Sequence, residues 1–438
     1  MEDSIEREIE IEEDSMDNAR SLMVGNQKGI LITILIVALA IRLAAVFLFP
    51  VPVEKDAWEY DQIATHILKN GSFAIYEGIP TSHRAPLYPI FLSAVYLLFG
   101  HSHQAARVAQ AFLSTAVCLF VYLIAKRIYG TLVGLLSALL VAFHQSLLMI
   151  TMLYSEALFT LLLVVMILFF TMAVVQRKTA LFFITGIVIG LSSLTRPTTL
   201  LFPVCALFIL LIVLKGRKEV LLKFAVLTGA TLIVVTPWMV RNYFLKDSVV
   251  PISSQGSHVF SGTYSKIMDK KEWRTIFDME LLEEQRSRTV REKIREKIEL
   301  ENPDGVPEVT RQMTIKAILD NPLEYLKVVG IRVGIFWLSP PMGTYKLKAK
   351  SEILSISWIG LKYLLLVFAI LGLFRSMDKW TVILPILVLL LYMTAVYGLI
   401  HSIRRYNLPL IPLVLIFSAQ GMIVSWNTIR GRYLLRRV

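Results

Sequence analysis

Apolar runs of roughly 20 residues, the length a helix needs to cross a hydrocarbon core, recur along this chain with little between them. Clear runs occupy residues 30–50, 104–125, 131–149, 152–175, 220–240, 353–374, 380–400 and 407–426. The stretch 180–214 is too long for one crossing and is broken at Thr195-Arg196-Pro197, which predicts two short spans meeting there. About ten spans result. Backbone groups inside a bilayer find no water, so these runs are expected as helices. With 55% hydrophobic and 18% charged residues, a soluble globular class is excluded, and 22 Gly, 17 Pro and 2 Cys exclude collagen-like, disordered and disulfide-stapled classes. The expectation is an all-α polytopic membrane protein.

Two further apolar segments are placed by charge. Residues 86–100 number fifteen, and 323–340 contain Lys327 and Arg332. If neither crosses, then Lys28, the loops with Lys126/Arg127, Arg177/Lys178, Lys215/Arg217/Lys218 and Arg375/Lys379, and the tail with Arg430, Arg432, Arg436 and Arg437 share one side. An excess of Lys and Arg in short loops marks the cytoplasm. Both segments are therefore expected as two interfacial helices, opened by Pro86 and Pro322. The chain divides into an acidic cytoplasmic tail (1–29), a first transmembrane module (30–240) with the outer loop 51–103, a small non-cytoplasmic lobe (241–352), and C-terminal helices with a basic cytoplasmic tail (353–438). Residues 1–20 hold nine acids against two bases, so the +12 chain carries +19 beyond them. Those bases punctuate apolar runs instead of forming a basic face with interleaved aromatics, so the bilayer, and no nucleic acid, is the expected partner. In the outer loop, Tyr60, Ile63, Ala64, Ile67 and Leu68 share one face of a predicted helix over 57–70, with Asp61 and Lys69 elsewhere around it. Val290, Ile294 and Ile298 mark another amphipathic helix in the lobe.

Ionisable groups at membrane depth are expensive and mark function by default. In this topology Asp56, His83, Arg84, Glu156, Arg196, Arg241, Arg404 and Arg405 all fall at the outer ends of spans or surface helices, and Arg42 is the clearest mid-span charge, expected to face a neighbouring helix. Guanidinium forks suit phosphate, and a carboxylate beside them suits taking a proton from an acceptor hydroxyl. The chain has no GxxxxGK[ST] loop and no GxGxxG after a strand, so a soluble nucleotide donor has no recognised cradle and a lipid-borne donor fits better. Structural roles compete at each position. Asp56 can cap the helix starting at Ala57, Arg404 and Arg405 can snorkel, Arg241 beside Trp238 can close a span, and Arg196 can pair with Glu156. Tyr60 and Tyr88 suit an aromatic belt or substrate stacking. The alternative from another class is a lipid-linked sugar transporter or flippase, which calls for polar groups near the midplane and a path between leaflets.

Asp56 in KDAWEYDQIA, HRAPLYPIFLSAVYLLFG (83–100), YSEALF (154–159), LSSLTRPTTLLFP (191–203), TPWMVRNY (236–243) and HSIRRYNLPLIP (401–412) follow one another in an order that resembles the GT-C membrane glycosyltransferases. The resemblance is to their family-39 type, which includes protein O-mannosyltransferases and lipid A aminoarabinose transferases. It implies a GT-C-like bundle that moves a sugar from a polyprenyl-phosphate donor to a lipid, glycan or protein acceptor on the non-cytoplasmic face, with inversion and no covalent enzyme intermediate. Asp56 matches the family's acid at the end of the first span and would be the base. Relatives often carry a second acid next to it; Ala57 stands there, and Glu156 is the candidate replacement. Arg84 matches a position that touches the lipid phosphate, a group expected to include Arg241, Arg404 and Arg405. Tyr60, His83, Tyr88, Arg196 and Tyr406 are expected to line the substrate. His83 falls where some relatives have a metal ligand, with His258 as a candidate partner. Two ligands fall short of the three or four of a zinc centre, so no cofactor is fixed and a divalent metal is only a candidate.

Overall fold

In the computed structural model, residues 26–49, 51–144, 151–255, 263, 267, 306–340 and 352–435 are described. The candidate His258 and the amphipathic helix expected around Ile294 lie outside them.

The first apolar run forms α1 (Gln27–Leu48), and the outer loop that follows carries the amphipathic α2 (Asp56–Asn70), a short hairpin (Ala74–Tyr76 with Ile79–Pro80) and α3 (Leu87–Phe99). The apolar runs then give α4 (His103–Tyr129), α5 (Thr131–Phe143), α6 (Glu156–Gln176), α7 (Thr179–Thr195), α8 (Phe202–Val213) and α9 (Arg217–Lys246). After them come α10 (Val306–Asp320), α11 (Pro322–Leu338), α12 (Glu352–Phe374), α13 (Trp380–Leu399) and α14 (Ile411–Leu435), with a 3₁₀ turn at Arg404–Leu410. Among the described residues, seven helices are long and apolar enough to cross a membrane, and shorter apolar helices at Thr131–Phe143, Thr179–Thr195 and Pro197–Val213 fall where the remaining spans are expected. The protein is an integral multi-pass membrane protein. The break at Arg196-Pro197 is real: α7 stops at Thr195, and Pro197 opens a 3₁₀ turn before α8.

A large apolar core runs through the bundle, with Phe159, Phe170, Phe182, Phe202 and Ile167 closed off from the surroundings. A second cluster packs α2 onto α3 through Ala57, Tyr60, Ala64, Tyr88 and Leu92. Leu68, expected on the buried face of α2, is exposed, whereas Asp61, expected on its polar side, is buried. The reason is polar company for Asp61, described below. Arg42 does face neighbouring helices: its guanidinium donates to Ser114 Oγ of α4 at 2.9 Å and to the Val141 and Ala142 carbonyls of α5 at 3.4 Å. Helices α12 and α14 touch backbone to backbone at Gly372 and Gly421, where an added Cβ would stand 1.9 Å from the Phe417 oxygen and 2.0 Å from the Phe368 oxygen.

Candidate active site

Three connecting segments and two helix starts meet at one end of the bundle. Lys55, with φ of +53°, puts a left-handed kink just ahead of α2. This is a conformation non-glycine residues rarely hold unless their surroundings enforce it. Asp56 is thus the first helical residue and not the cap, the competing structural role, and its side chain is committed elsewhere. Its Oδ1 accepts from Arg84 Nη2 at 2.7 Å, and its Oδ2 from Arg405 Nη2. One turn further along α2, Glu59 Oε2 accepts from Arg84 Nε at 2.6 Å, so both edges of this buried guanidinium are engaged by carboxylates. Burial alone would raise the Asp56 pKa, but Arg84 and Arg405 outweigh it and hold the carboxyl well below the usual carboxylate range.

The second acid enters from the bundle. Glu156 opens α6, where the helix dipole favours a negative charge. It is buried, and its Oε1 lies 3.3 Å from Arg196 Nη2 and 3.4 Å from Arg405 Nε. Arg405 therefore spans both acids, Asp56 from the outer loop and Glu156 from the bundle. Aromatic faces surround the three guanidinium groups: Arg84 stands 5.1 Å from the Tyr60 ring, Arg405 4.3 Å from Tyr154, and Arg196 5.0 Å from Tyr406. Tyr88 packs edge-on against Tyr60 at 4.9 Å and donates to Gln110 Oε1 at 2.7 Å. Glu156 and Arg196 lie deeper than Asp56, whose side chain is one quarter exposed.

A family profile described as dolichyl-phosphate-mannose-protein mannosyltransferase matches residues 83–240, which hold Arg84, Glu156 and Arg196 but not Asp56 or Arg405. Comparison with curated proteins gives no match. Among solved structures, the archaeal oligosaccharyltransferase AglB from Archaeoglobus fulgidus, in complex with an inhibitory peptide and a dolichol-phosphate, superposes with a TM-score of 0.58 at 15% identity over 94% of this chain and 52% of its own. ArnT from Cupriavidus metallidurans, in the apo state, gives 0.54 at 13% identity over 90% of this chain and 61% of its own. The chain has the GT-C fold. It spans between half and three fifths of the length of these two neighbours. A further structure of the Archaeoglobus fulgidus oligosaccharyltransferase, in complex with zinc and sulfate, matches with a TM-score of 0.53 at 16% identity, over 92% of this chain and 50% of its own.

On this GT-C scaffold, Asp56, Arg84, Glu156, Arg196, Arg405, Tyr60, Tyr88 and Tyr406 converge at one end of the bundle. Of the adjacent pair Arg404 and Arg405, it is Arg405 that reaches both carboxylates. Arg241, expected among the phosphate ligands, makes its contacts on the stretch just ahead of Arg84. It donates to the Thr81 carbonyl at 2.7 Å and stacks 4.7 Å from the Trp238 ring, fastening α9 to the hairpin loop. His83 lies beside the cluster, its Nε2 3.8 Å from Glu59 Oε2.

Glu59 and Tyr154 belong to the cluster and are not singled out by the sequence reading. Glu59 is one charge among several on a surface helix, and only its one-turn spacing from Asp56 signals a shared face. The residues do not fit a divalent cation between Asp56 and Glu156, because three guanidinium groups already neutralise the three carboxylates of Asp56, Glu59 and Glu156. A separate group, Asp61, His101 and His103, brings three candidate metal-ligand atoms within 4.8 Å of one another.

Proposed function

We propose that this protein is a glycosyltransferase that moves a sugar from a polyprenyl-phosphate-linked donor to an acceptor on the non-cytoplasmic side of the membrane. The observation that carries this reading is Arg405 bridging Asp56 and Glu156 while Arg84 holds the other oxygen of Asp56. Such a neutral, partly buried set of carboxylates and guanidiniums is prepared for an incoming phosphate. A lipid phosphate gives Arg84 and Arg405 a second anion, so their forks turn from Asp56 toward the leaving group. Asp56 thereby regains basicity only when the donor is seated. The acceptor hydroxyl oxygen then bonds to the anomeric carbon as the bond from that carbon to the phosphate oxygen breaks. The electron pair stays on the phosphate, stabilised by the two guanidiniums, and the hydroxyl proton passes to Asp56. Glu156, buried and paired with Arg196, keeps Arg405 oriented. The AglB neighbour, bound to a dolichol-phosphate and an inhibitory peptide, supports a lipid phosphate on this fold.

The test is transfer from synthetic polyprenyl-phosphate sugars by the purified protein. Asp56→Asn is expected to lower kcat by about 10²- to 10⁴-fold, the range a positioned base supplies, while polyprenyl phosphate still binds. Full transfer by the variant sinks the reading. Lipid flipping by the wild type without transfer favours the transporter alternative.

A further inference from the structure

We propose that Asp61, His101 and His103 form a zinc site that clamps α2 to the turn between α3 and α4, separate from the charge cluster. The backbone is shaped for it. Gly100, with φ of +71°, turns the chain sharply out of α3, and Ser102 caps α4 by accepting from Ala105 N at 3.2 Å. These two features bring His101 and His103, flanking Ser102, to the same side of the turn, with ring centroids 4.9 Å apart. Each Nε2 lies 2.9 Å from the same oxygen, Asp61 Oδ1.

That oxygen is overcommitted. Tyr96 Oη also donates to it at 2.7 Å, so three donors crowd one carboxylate oxygen, which has two lone pairs. The other oxygen, Oδ2, has Gln62 Nε2 no nearer than 3.5 Å. A cation resolves the imbalance. Two neutral imidazoles then offer lone pairs in place of N–H groups, and the buried carboxylate supplies the charge. Two imidazole nitrogens and one carboxylate oxygen are a donor set that zinc takes, leaving a fourth position for water. With metal–ligand bonds of about 2.0–2.1 Å, tetrahedral geometry separates the donor atoms by roughly 3.4 Å. The observed 2.9 Å contacts therefore need to open by only a few tenths of an ångström. Tyr96 would remain as the outer partner that orients Asp61. The metal has a way in, because the His101 and His103 side chains are 51% and 35% exposed while Asp61 is 6% exposed. Asp61 lies five residues beyond Asp56 on α2, so a bound ion would fix the helix that presents Asp56, Glu59 and Tyr60.

The experiment is Zn²⁺ titration of the chelator-stripped, detergent-purified full chain by calorimetry, with Co²⁺ absorption as a report on tetrahedral geometry. Expected are one saturable site, a tetrahedral cobalt spectrum and a raised Tm with zinc. Affinity should fall at least tenfold in His101→Gln and in His103→Gln, fall about 10-fold or more in Tyr96→Phe through the outer shell, and stay unchanged in His83→Gln. Absence of saturable binding to the wild type overturns the proposal, whatever the variants do. So does binding that His101→Gln and His103→Gln both retain at full affinity.

Discussion

Asp56 shows how much a single residue's chemistry depends on its partners. The sequence makes it an acid at the end of a span, and that much is legible from its position alone. Its two guanidinium contacts are not, because Arg84 lies 28 residues away and Arg405 lies 349 away. Those contacts set its titration. Because the folded pKa is depressed, the stability Asp56 contributes is fully present above the ordinary carboxylate pKa of about 4 and is lost only as the pH falls through the lower folded value. The difference in thermal stability between wild type and Asp56→Ala is therefore expected to stay constant from about pH 8 to pH 5. A difference that already shrinks between pH 7 and pH 5 contradicts the double pairing. Glu156 makes the complementary case. It is more deeply buried, so Glu156→Gln leaves Arg196 and Arg405 short of charge and is expected to cost about 3 kcal/mol, read as a lowered Tm. If Glu156 positions Arg405 and takes no proton itself, the variant should also bind polyprenyl phosphate more weakly while keeping the wild-type pH profile of kcat.

At the scale of elements, hydropathy and the Arg196-Pro197 break locate the helices well, because length and apolarity are local properties. What escapes is which helices touch. Asp61 illustrates the limit: its place on the helical wheel predicts solvent, and only the turn carrying His101 and His103, 40 and 42 residues away, explains its burial. Arg241 is the opposite case, since Trp238, three residues before it in the sequence, already offers the stacking partner it uses. The contact of α12 with α14 is equally non-local. Two glycines in unrelated apolar runs let the backbones meet, a device that suits membranes, where close packing does much of the work that burial from water does elsewhere. Because the added Cβ at Gly372 would stand 1.9 Å from a carbonyl oxygen, Gly372→Ala must push the helices apart. Overpacking of this kind is expected to cost about 2 kcal/mol, visible as a lower unfolding temperature in detergent. The same change at Gly229, where nothing lies within 4 Å of an added Cβ, should not lower it.

Across the whole molecule, two ends of the bundle carry different charge. Asp56, Arg84, Glu156, Arg196 and Arg405 gather at one end as compensated pairs. The loops at 126–130, 177–178, 215–218 and 375–379 carry bases at the other end. There Lys126 Nζ donates to Gln27 Oε1 at 2.8 Å and Lys379 Nζ to the Ile128 carbonyl at 3.0 Å, tying the last turn of α4 to the start of α1 and to the turn between α12 and α13. Lys and Arg in short loops hold those loops on the cytoplasmic side, with little influence from neighbouring acids. The basic end is therefore expected in the cytoplasm and the acid cluster outside. Single cysteines at two exposed positions decide it, in a background with Cys118 and Cys205 replaced by serine. Asp247→Cys, after α9, should react with a membrane-impermeant maleimide in intact cells. Lys178→Cys, between α6 and α7, should react only once the membrane is opened. The reverse pattern would put the cluster on the cytoplasmic face, where its lipid donor would have to be presented from the opposite leaflet.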